Sequence, residues 1–366
     1  MHQPDSSTWG PEKEPGGSRP DAPARRGLAG LVRAAARRAG NVSVMFVQRQ
    51  VLRRRFFEKR IYDYRLVLDS DDPGISAQLI RRGEREPEQR FILERELKPG
   101  MTVFDLGANI GYYTVMMARR VGATGRVFAV EPVPANFSLL SRNVELNGVA
   151  GWCGLEAVAI GHTGGVRPLF TTPQSNWHSF HEPVVDGNVA WLRKYQRQVT
   201  GTLSVPTYAL GAYIADKPPF DLLRMDIEGS EVEILRGIAE LADAETGPRR
   251  ILFETHPEFY HPVRNDLRGV LRKLCEERGY RVKYLVSDFH IRSPYDDAAE
   301  SGRRVFERFG YGREHVEREF RNRAIYTGLT APHAIELICK SEYVNAAMLE
   351  REARPPKDAA HSPVRA

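Results

Sequence analysis

The sequence predicts an α/β fold: a mostly parallel sheet of seven strands with helices on both faces. Three observations carry that expectation. Short apolar runs alternate with segments of helical period. Several of those runs end in an acidic residue: Asp105, Glu131, Asp226 and Glu254. Glycine-bearing turns follow two of them, where a strand would pass into a helix.

The elements follow in order. Residues 62–68 alternate and end in the turn cluster Asp69-Ser70-Asp71-Asp72-Pro73-Gly74, so a strand or hairpin is expected. Residues 75–82 and 86–97 have helical spacing, and Lys98-Pro99-Gly100 ends the second helix. Strand 102–106 precedes helix 111–121. Strand 127–131 precedes helix 134–147, which has Pro134 in its first turn and Asn147-Gly148 as its stop. Residues 155–160 form a third strand and 221–226 a fourth. Helix 230–235 comes next, with Ser230 at the N-cap and Glu233 at capping-box spacing. Strand 251–254, helix 263–279 and strand 280–286 follow. Glu336 to Cys339 completes the sheet as an inserted antiparallel strand. Two long segments, 166–205 and 287–331, interrupt the alternation and read as substrate loops or lids.

This divides the 366 residues into five parts. Residues 1–24, rich in Pro, Gly, Ser and charge, are expected to be a disordered tail. Residues 25–60 form a basic, helical arm. Residues 61–98 are an extension of hairpin and helices. Residues 99–345 are the main domain, with the insertion 287–331. Residues 346–366 are a tail. The apolar share of 42% suffices for a full core, while the mean hydropathy of −0.43 describes a soluble chain. No apolar run approaches the roughly 20 residues of a membrane span. Cys153, Cys275 and Cys339 are widely spaced, with no C-x-x-C, which argues against a zinc site or disulfide framework and for a reducing, cytoplasmic compartment.

The net charge of +6 is concentrated in the arm, where Arg53, Arg54, Arg55, Lys59 and Arg60 are opposed only by Glu58. Such a segment can pack on the main domain, or lie on an anionic membrane surface at the inner face of the membrane. Nucleic acid is the weaker partner for it.

Chemistry is concentrated in three strings. The first is Val103-Phe104-Asp105-Leu106-Gly107-Ala108-Asn109-Ile110-Gly111-Tyr112. A pyrophosphate-binding turn would read G-x-G-x-x-G. Here the pattern is D-x-G-x-x-x-G, with Asn109 near the place of a second close glycine, which suits an adenosine cofactor without phosphate. S-adenosylmethionine fits. Glu131, ending the next strand, can accept two hydrogen bonds from a ribose diol. The second string is Arg224-Met225-Asp226-Ile227-Glu228-Gly229-Ser230-Glu231, which puts Asp226 and Glu228 at the same sheet mouth. Glu231 reads as a helix N-terminal charge. The third is Phe253-Glu254-Thr255-His256-Pro257, which sends Glu254 and His256 into the same crevice. His178, amid the turn residues of the first long segment, is a weaker candidate.

With these strings in order, and with Pro132 and Asn136 after Glu131 and Leu235-Arg236-Gly237 after Glu231, the chain resembles the FkbM family of S-adenosylmethionine-dependent methyltransferases over about residues 75–285. The resemblance implies a class I methyltransferase (Rossmann-like) fold. It also implies O-methylation of a hydroxyl on a sugar, glycolipid or polysaccharide, or secondary metabolite, with no metal. It assigns Asp105, Gly107, Asn109, Gly111, Tyr112, Glu131 and Asn136 to the cofactor. Asp226 and Glu228 would flank the reacting centre, with Glu254 or His256 as base. Leu210-Gly211 departs from the family's frequent Leu-Asp, and Arg224 from its frequent Lys.

Three rivals remain at this point. An RNA-directed methyltransferase would use the basic arm. Yet Lys217-Pro218-Pro219-Phe220 precedes the fourth strand rather than ending it, and a lysine cannot accept from a base amino group. A non-catalytic protein on the same fold, or a dehydrogenase, would be separated by whether S-adenosylmethionine or NADH binds.

Overall fold

A computed structural model describes residues 53–181, 199–243, 246–260, 263, 265–288, 323–340 and 344–351. The expected tail 1–24, the arm before residue 53 and most of the insertion 287–331 lie outside the described residues.

In chain order, β1 (Phe56–Ile61) and β2 (Tyr64–Asp69) form an antiparallel hairpin. Helices α1 (Ile75–Arg82) and α2 (Pro87–Glu96) follow. Next come β3 (Thr102–Leu106), α3 (Tyr112–Val121), β4 (Arg126–Val130), α4 (Pro134–Leu146) and β5 (Cys153–Glu156). The strands β6 (Ala159–Gly161), β7 (Gly165–Thr171) and β8 (Gly201–Ala209) lead into α5 (Leu210–Ile214). Then β9 (Leu222–Met225), α6 (Glu231–Ala239), β10 (Arg250–Glu254), α7 (Leu267–Glu277) and β11 (Tyr280–Asp288) alternate. The described chain closes with β12 (Arg323–Tyr326), α8 (Ala331–Lys340) and β13 (Val344–Arg351).

The main sheet runs β5-β4-β3-β9-β10-β13-β11-β12. Strands β5, β4, β3, β9 and β10 are parallel, and β13 enters antiparallel between β10 and β11. The order reverses between β3 and β9, one going outward to β4 and the other to β10. In a doubly wound sheet the ligand crevice opens at that point, beyond the carboxyl ends of the strands. Val103, Phe104, Leu222, Leu223, Ile251 and Leu252 are fully buried, as expected for parallel strands covered on both faces.

Several expectations need correction. Glu336 to Cys339 lies inside helix α8, where Ala334, Ile335 and Ile338 are buried on one face. The antiparallel strand is Val344–Arg351 instead. So short an apolar run does not distinguish strand from helix by period, and the longer run after it fills the central slot. Residues 346–351, assigned to the tail, therefore belong to the sheet, and β12 makes an eighth strand at its edge. The arm was drawn to residue 60, yet Phe56–Ile61 is strand. Arg55 is paired with Asp69 at 2.7 Å, and Lys59 Nζ donates to the carbonyls of Leu79 and Ile80 at the end of α1.

The run 155–160 splits after Glu156, with β6 joining a separate three-stranded sheet, β6-β8-β7. Its strands β7 and β8 take up the two ends of the segment 166–205 expected to be a loop, and residues 182–198 lie outside the described residues. The capping box at Ser230 does not form: Ser230 Oγ makes no cap bond, and Glu233 binds Arg167 at 2.8 Å. The remaining boundaries of α1, α2, β3, α3, β4, α4 and β9 fall within a residue or two of those expected.

Asn143 ties the hairpin to the site. Fully buried on α4, it accepts from the Val67 N–H at 2.6 Å and donates to the Ile110 carbonyl at 2.7 Å. The hairpin thus braces the turn after β3.

Candidate functional site

The turn after β3 needs two glycines for different reasons. Gly107 has φ 76°, and a Cβ there would lie 2.1 Å from the Asp226 carbonyl oxygen. Gly111 has φ 87° and would press on Leu140. Asn109 also takes a left-handed φ of 50°, which Asn tolerates better than most residues because its side chain bonds locally. Here its Oδ1 accepts from the Ile110 N–H at 2.9 Å.

This turn and β4 converge on Glu131, which is 4% exposed. One oxygen accepts from the Asn109 N–H at 2.8 Å. The other accepts from the Val133 N–H at 3.0 Å and from Asn136 Nδ2 at 3.3 Å. Burial pushes the carboxyl up to about 7, although those donors pull the other way. Asn109 and Asn136 both donate to the Ser175 carbonyl, at 2.7 and 3.0 Å. Asp72, from the turn after β2, holds the Ser175 N–H and hydroxyl at 3.1 and 2.9 Å.

Asp105 lies deeper than expected. It is wholly buried, accepts from the Thr114 hydroxyl at 2.6 Å and meets Arg224 at 3.3 Å. It does not line the crevice, so its place is beneath the Gly107–Gly111 turn, as an anchor. Tyr112 does line it, with its hydroxyl donating to the Arg85 carbonyl at 2.8 Å.

At the other end, β9 and β10 deliver the acids. Arg224 bridges Asp105 and Asp226, the latter at 3.1 Å. Against the effect of burial, Arg224 and His256 together hold Asp226 below its ordinary range. Glu254 is driven well above its ordinary value by burial and by the neighbouring Asp226 and Glu86. His256 Nδ1 lies 2.9 Å from Glu231, and its Nε2 lies 3.5 Å from Glu228 and 3.9 Å from Asp226. Burial opposes charge on this imidazole, but the surrounding carboxylates, Glu228 and Glu231 foremost, raise it well above its ordinary value. Neither Glu254 nor His256 lines the crevice, so neither stands where an acceptor would meet it directly. Glu228 has a left-handed φ of 48°, a conformation that stores roughly 1–3 kcal/mol in a residue other than glycine.

The space between these two ends is a crevice open to solvent. Gly107, Asn109, Tyr112 and Glu131 line one side, and Asp226 and Glu228 the other. Asn136, Glu254 and His256 stand just behind its wall. His178 also lines it, with its Nδ1 accepting from the Thr172 N–H at 3.1 Å and burial lowering it to about 4.

Four residues of this neighbourhood escaped the sequence reading. Asp72 read as a turn residue and Ser175 as a loop residue. Arg85, on the cavity wall, carried no signal at all. Glu231 read as a helix charge, yet it is fully buried and gathers the Ile227 and Gly229 N–H groups, His256 and the Tyr260 hydroxyl. Its spacing from Glu228 was the signal available: three residues on, across a glycine.

Residues 105–282 match the family model described as the Methyltransferase FkbM domain. A protein of Beauveria bassiana named Methyltransferase 1 is 31% identical over 150 residues, covering 37% of this chain and 57% of that one. The 31-O-demethyl-FK506 methyltransferase FkbM of Streptomyces tacrolimicus is 30% identical over 172 residues, covering 43% of this chain and 60% of that one. Methyltransferase sdnD of Sordaria araneosa is 27% identical over 201 residues, covering 49% of this chain and 73% of that one. The chain thus spans less than two thirds of the first two relatives. Among solved structures, a SAM-dependent O-methyltransferase of Thermotoga maritima is 12% identical with a TM-score of 0.36, over 82% of this chain and 88% of that one, a likeness too loose to argue from. Among the described residues no helix is long and apolar enough to cross a membrane.

Proposed function

We propose that this chain, whose residues 105–282 match the FkbM methyltransferase domain, transfers the methyl group of S-adenosylmethionine to a hydroxyl of a sugar, a glycolipid or polysaccharide, or a secondary metabolite. One observation carries the reading. A buried carboxylate, Glu131, stands at one end of the crevice, and a group of acids stands at the other, with the Gly107–Gly111 turn between them. An adenosine laid along that turn presents its ribose diol to Glu131. Its methionine end then reaches towards Asp226 and Glu228, where negative charge favours a sulfonium.

The chemistry asks little of the protein beyond alignment. The sulfonium is already activated, so holding the acceptor oxygen, methyl carbon and sulfur in line lowers the barrier by several kcal/mol. A sugar hydroxyl is a weak nucleophile, and proton removal adds roughly 10²–10⁴-fold. Glu228 and Asp226 are the wall carboxylates at the methionine end of the crevice and the candidate acceptors for that proton. The Streptomyces relative is named for a 31-O-demethylated substrate, which supports oxygen as the acceptor atom.

Two measurements test this. Methyl-labelled S-adenosylmethionine, incubated with the protein and a panel of sugars, glycolipids and hydroxylated metabolites, should label an ether-linked methyl in at least one. Glu131→Ala should keep the fold and weaken S-adenosylhomocysteine binding by roughly 10–100-fold, the worth of one hydrogen bond or two to a charged acceptor. Unchanged binding in that variant would remove Glu131 from the cofactor site and the reading with it.

A further inference from the structure

S-adenosylmethionine carries a sulfonium, an ammonium and a carboxylate. Asp226 and Glu228 suit the two cations. The carboxylate needs donors, and the crevice wall has them in one place. Among the residues lining the crevice, the arginines are Arg85 and Arg224. Arg224 is 3% exposed, and its terminal nitrogens reach Asp105 and Asp226 at 3.3 and 3.1 Å. Its Nε–H finds no acceptor among the described residues. Arg85 is nearly as deeply set, with 11% of its side chain exposed. Its terminal nitrogens go to Gln78 Oε1 at 3.0 Å and to Glu86 at 2.5 Å, and its Nε–H also meets no acceptor among the described residues. Two guanidinium groups on one wall thus each keep an unused donor.

The start of α3 stands beside them. Gly111 is its N-cap and brings no side chain, and no acid follows in the first turn. The first helical bond runs from the Val115 N–H to the Gly111 carbonyl at 3.0 Å. The N–H groups of Tyr112, Tyr113 and Thr114 ahead of it have no partner within the helix. Both tyrosines line the crevice, and both hold the Arg85 segment against this end. The Tyr112 hydroxyl donates to the Arg85 carbonyl at 2.8 Å, and the Tyr113 hydroxyl to the Glu86 carboxylate at 3.0 Å. The Arg224 guanidinium lies 4.4 Å from the centre of the Tyr113 ring. A helix N-terminus carries about half a positive charge, so it and the two arginines favour the same sign of ligand.

We propose that Arg85 recognises the methionine carboxylate of S-adenosylmethionine, holding it against the first turn of α3 with the Arg224 Nε–H beside it. This role rests on the methyl-transfer reading and adds to it a residue that selects the zwitterionic end of the cofactor. The ammonium shares a carbon with that carboxylate, and Asp226, joined to Arg224 at 3.1 Å, is the acid on the same wall that suits it. Gln78 and Glu86 position the guanidinium from the extension's own helices and turn. Arg85 precedes the matched residues 105–282, so the family model assigns it nothing. The extension before β3 is then a working part of the cofactor site.

The test removes the carboxylate from the ligand and the guanidinium from the protein. Full-length protein is titrated calorimetrically with S-adenosylhomocysteine and with S-adenosyl-3-thiopropylamine, the same ligand without its carboxylate. The parent should bind the second roughly 10–100-fold more weakly, as expected for the loss of charged hydrogen bonds. Arg85→Gln should shrink that gap by about tenfold, weakening only the ligand that bears the carboxylate. Glu131→Ala, at the ribose end, should weaken both ligands alike and keep the gap. Equal affinities in the parent overturn the proposal, as does a gap that Arg85→Gln leaves whole or that Glu131→Ala also closes. Should Arg85→Gln not fold, Arg85→Lys decides, because it keeps the charge that pairs with Glu86 but loses the planar fork. It should weaken S-adenosylhomocysteine at least threefold and leave the other ligand unchanged, and an equal effect on both overturns the proposal. A parent protein that binds neither ligand brings down the methyl-transfer reading itself, and this role of Arg85 with it.

Discussion

The two ends of the crevice solve the burial of carboxylates in opposite ways. At the β4 end, Glu131 is met by two backbone N–H groups and an asparagine amide, all neutral donors. At the β9–β10 end, Asp226, Glu228, Glu231 and Glu254 face one another, with Arg224, Arg85 and His256 set among them. The first arrangement suits a neutral diol, which adds donors to an acceptor already in place. The second suits something cationic or reactive, because like charges held together lower the energy of whatever positive group arrives. The chain keeps these environments apart with one tight turn, so the place where they touch is where substitution should matter most.

That contact is Gly107 against the Asp226 carbonyl. Gly107→Ala would put a methyl 2.1 Å from a backbone atom that no rotamer change can move, at a φ of 76°. Strain and overpacking together should cost roughly 2–6 kcal/mol, read as a fall in the thermal midpoint and loss of S-adenosylhomocysteine binding. A variant as stable as its parent would mean that β3 and β9 are not packed as described. A smaller effect is expected at Arg224. Lysine there keeps the charge but not the fork that reaches Asp105 and Asp226 at once. Arg224→Lys should lose one charged hydrogen bond, about 1.5–3 kcal/mol by denaturant unfolding. Glu131 binding chemistry, at the other end, should be far less affected, and an equal loss at both ends would erase the contrast drawn between them.

The β4 end was the more legible in the sequence because it is local. Gly107, Asn109 and Gly111 occupy one turn, and Glu131 closes the next strand, so strand–turn–helix logic places them without tertiary knowledge. The acid end was only half legible. Asp226 and Glu254 could be placed by their strand ends. The bond from Glu231 to His256 joins residues 25 apart, and helix propensity alone makes Glu231 an ordinary first-turn charge. Asp105 shows the converse: its type and position read as cofactor-facing, yet strand alternation turns it inward onto Thr114 and Arg224. The last strand was misplaced for a similar reason. Its pairing with β10 and β11 is long-range, and a short apolar run in α8 resembled it locally.

The gentlest probe of the comparison is pH, which acts on the β4 end through Glu131. Its carboxyl sits at about 7, above the ordinary 4.5, because burial disfavours the charge. The folded protein without ligand therefore holds this proton more tightly than the unfolded chain does. Its stability contribution is present at low pH and is lost as pH rises through the interval from 4.5 to about 7. A ribose diol reverses the preference, since two hydroxyl donors favour the ionised acceptor. S-adenosylhomocysteine should thus bind more weakly below about pH 7, by up to tenfold per unit, and release a proton on binding there. Calorimetric titration in buffers of different ionisation enthalpy measures both. Glu131→Gln, which has no proton to lose, should flatten the pH profile and abolish the proton release. A profile that keeps its slope in that variant would move the titrating group to the acid end of the crevice, and the two ends would no longer be electrostatically distinct.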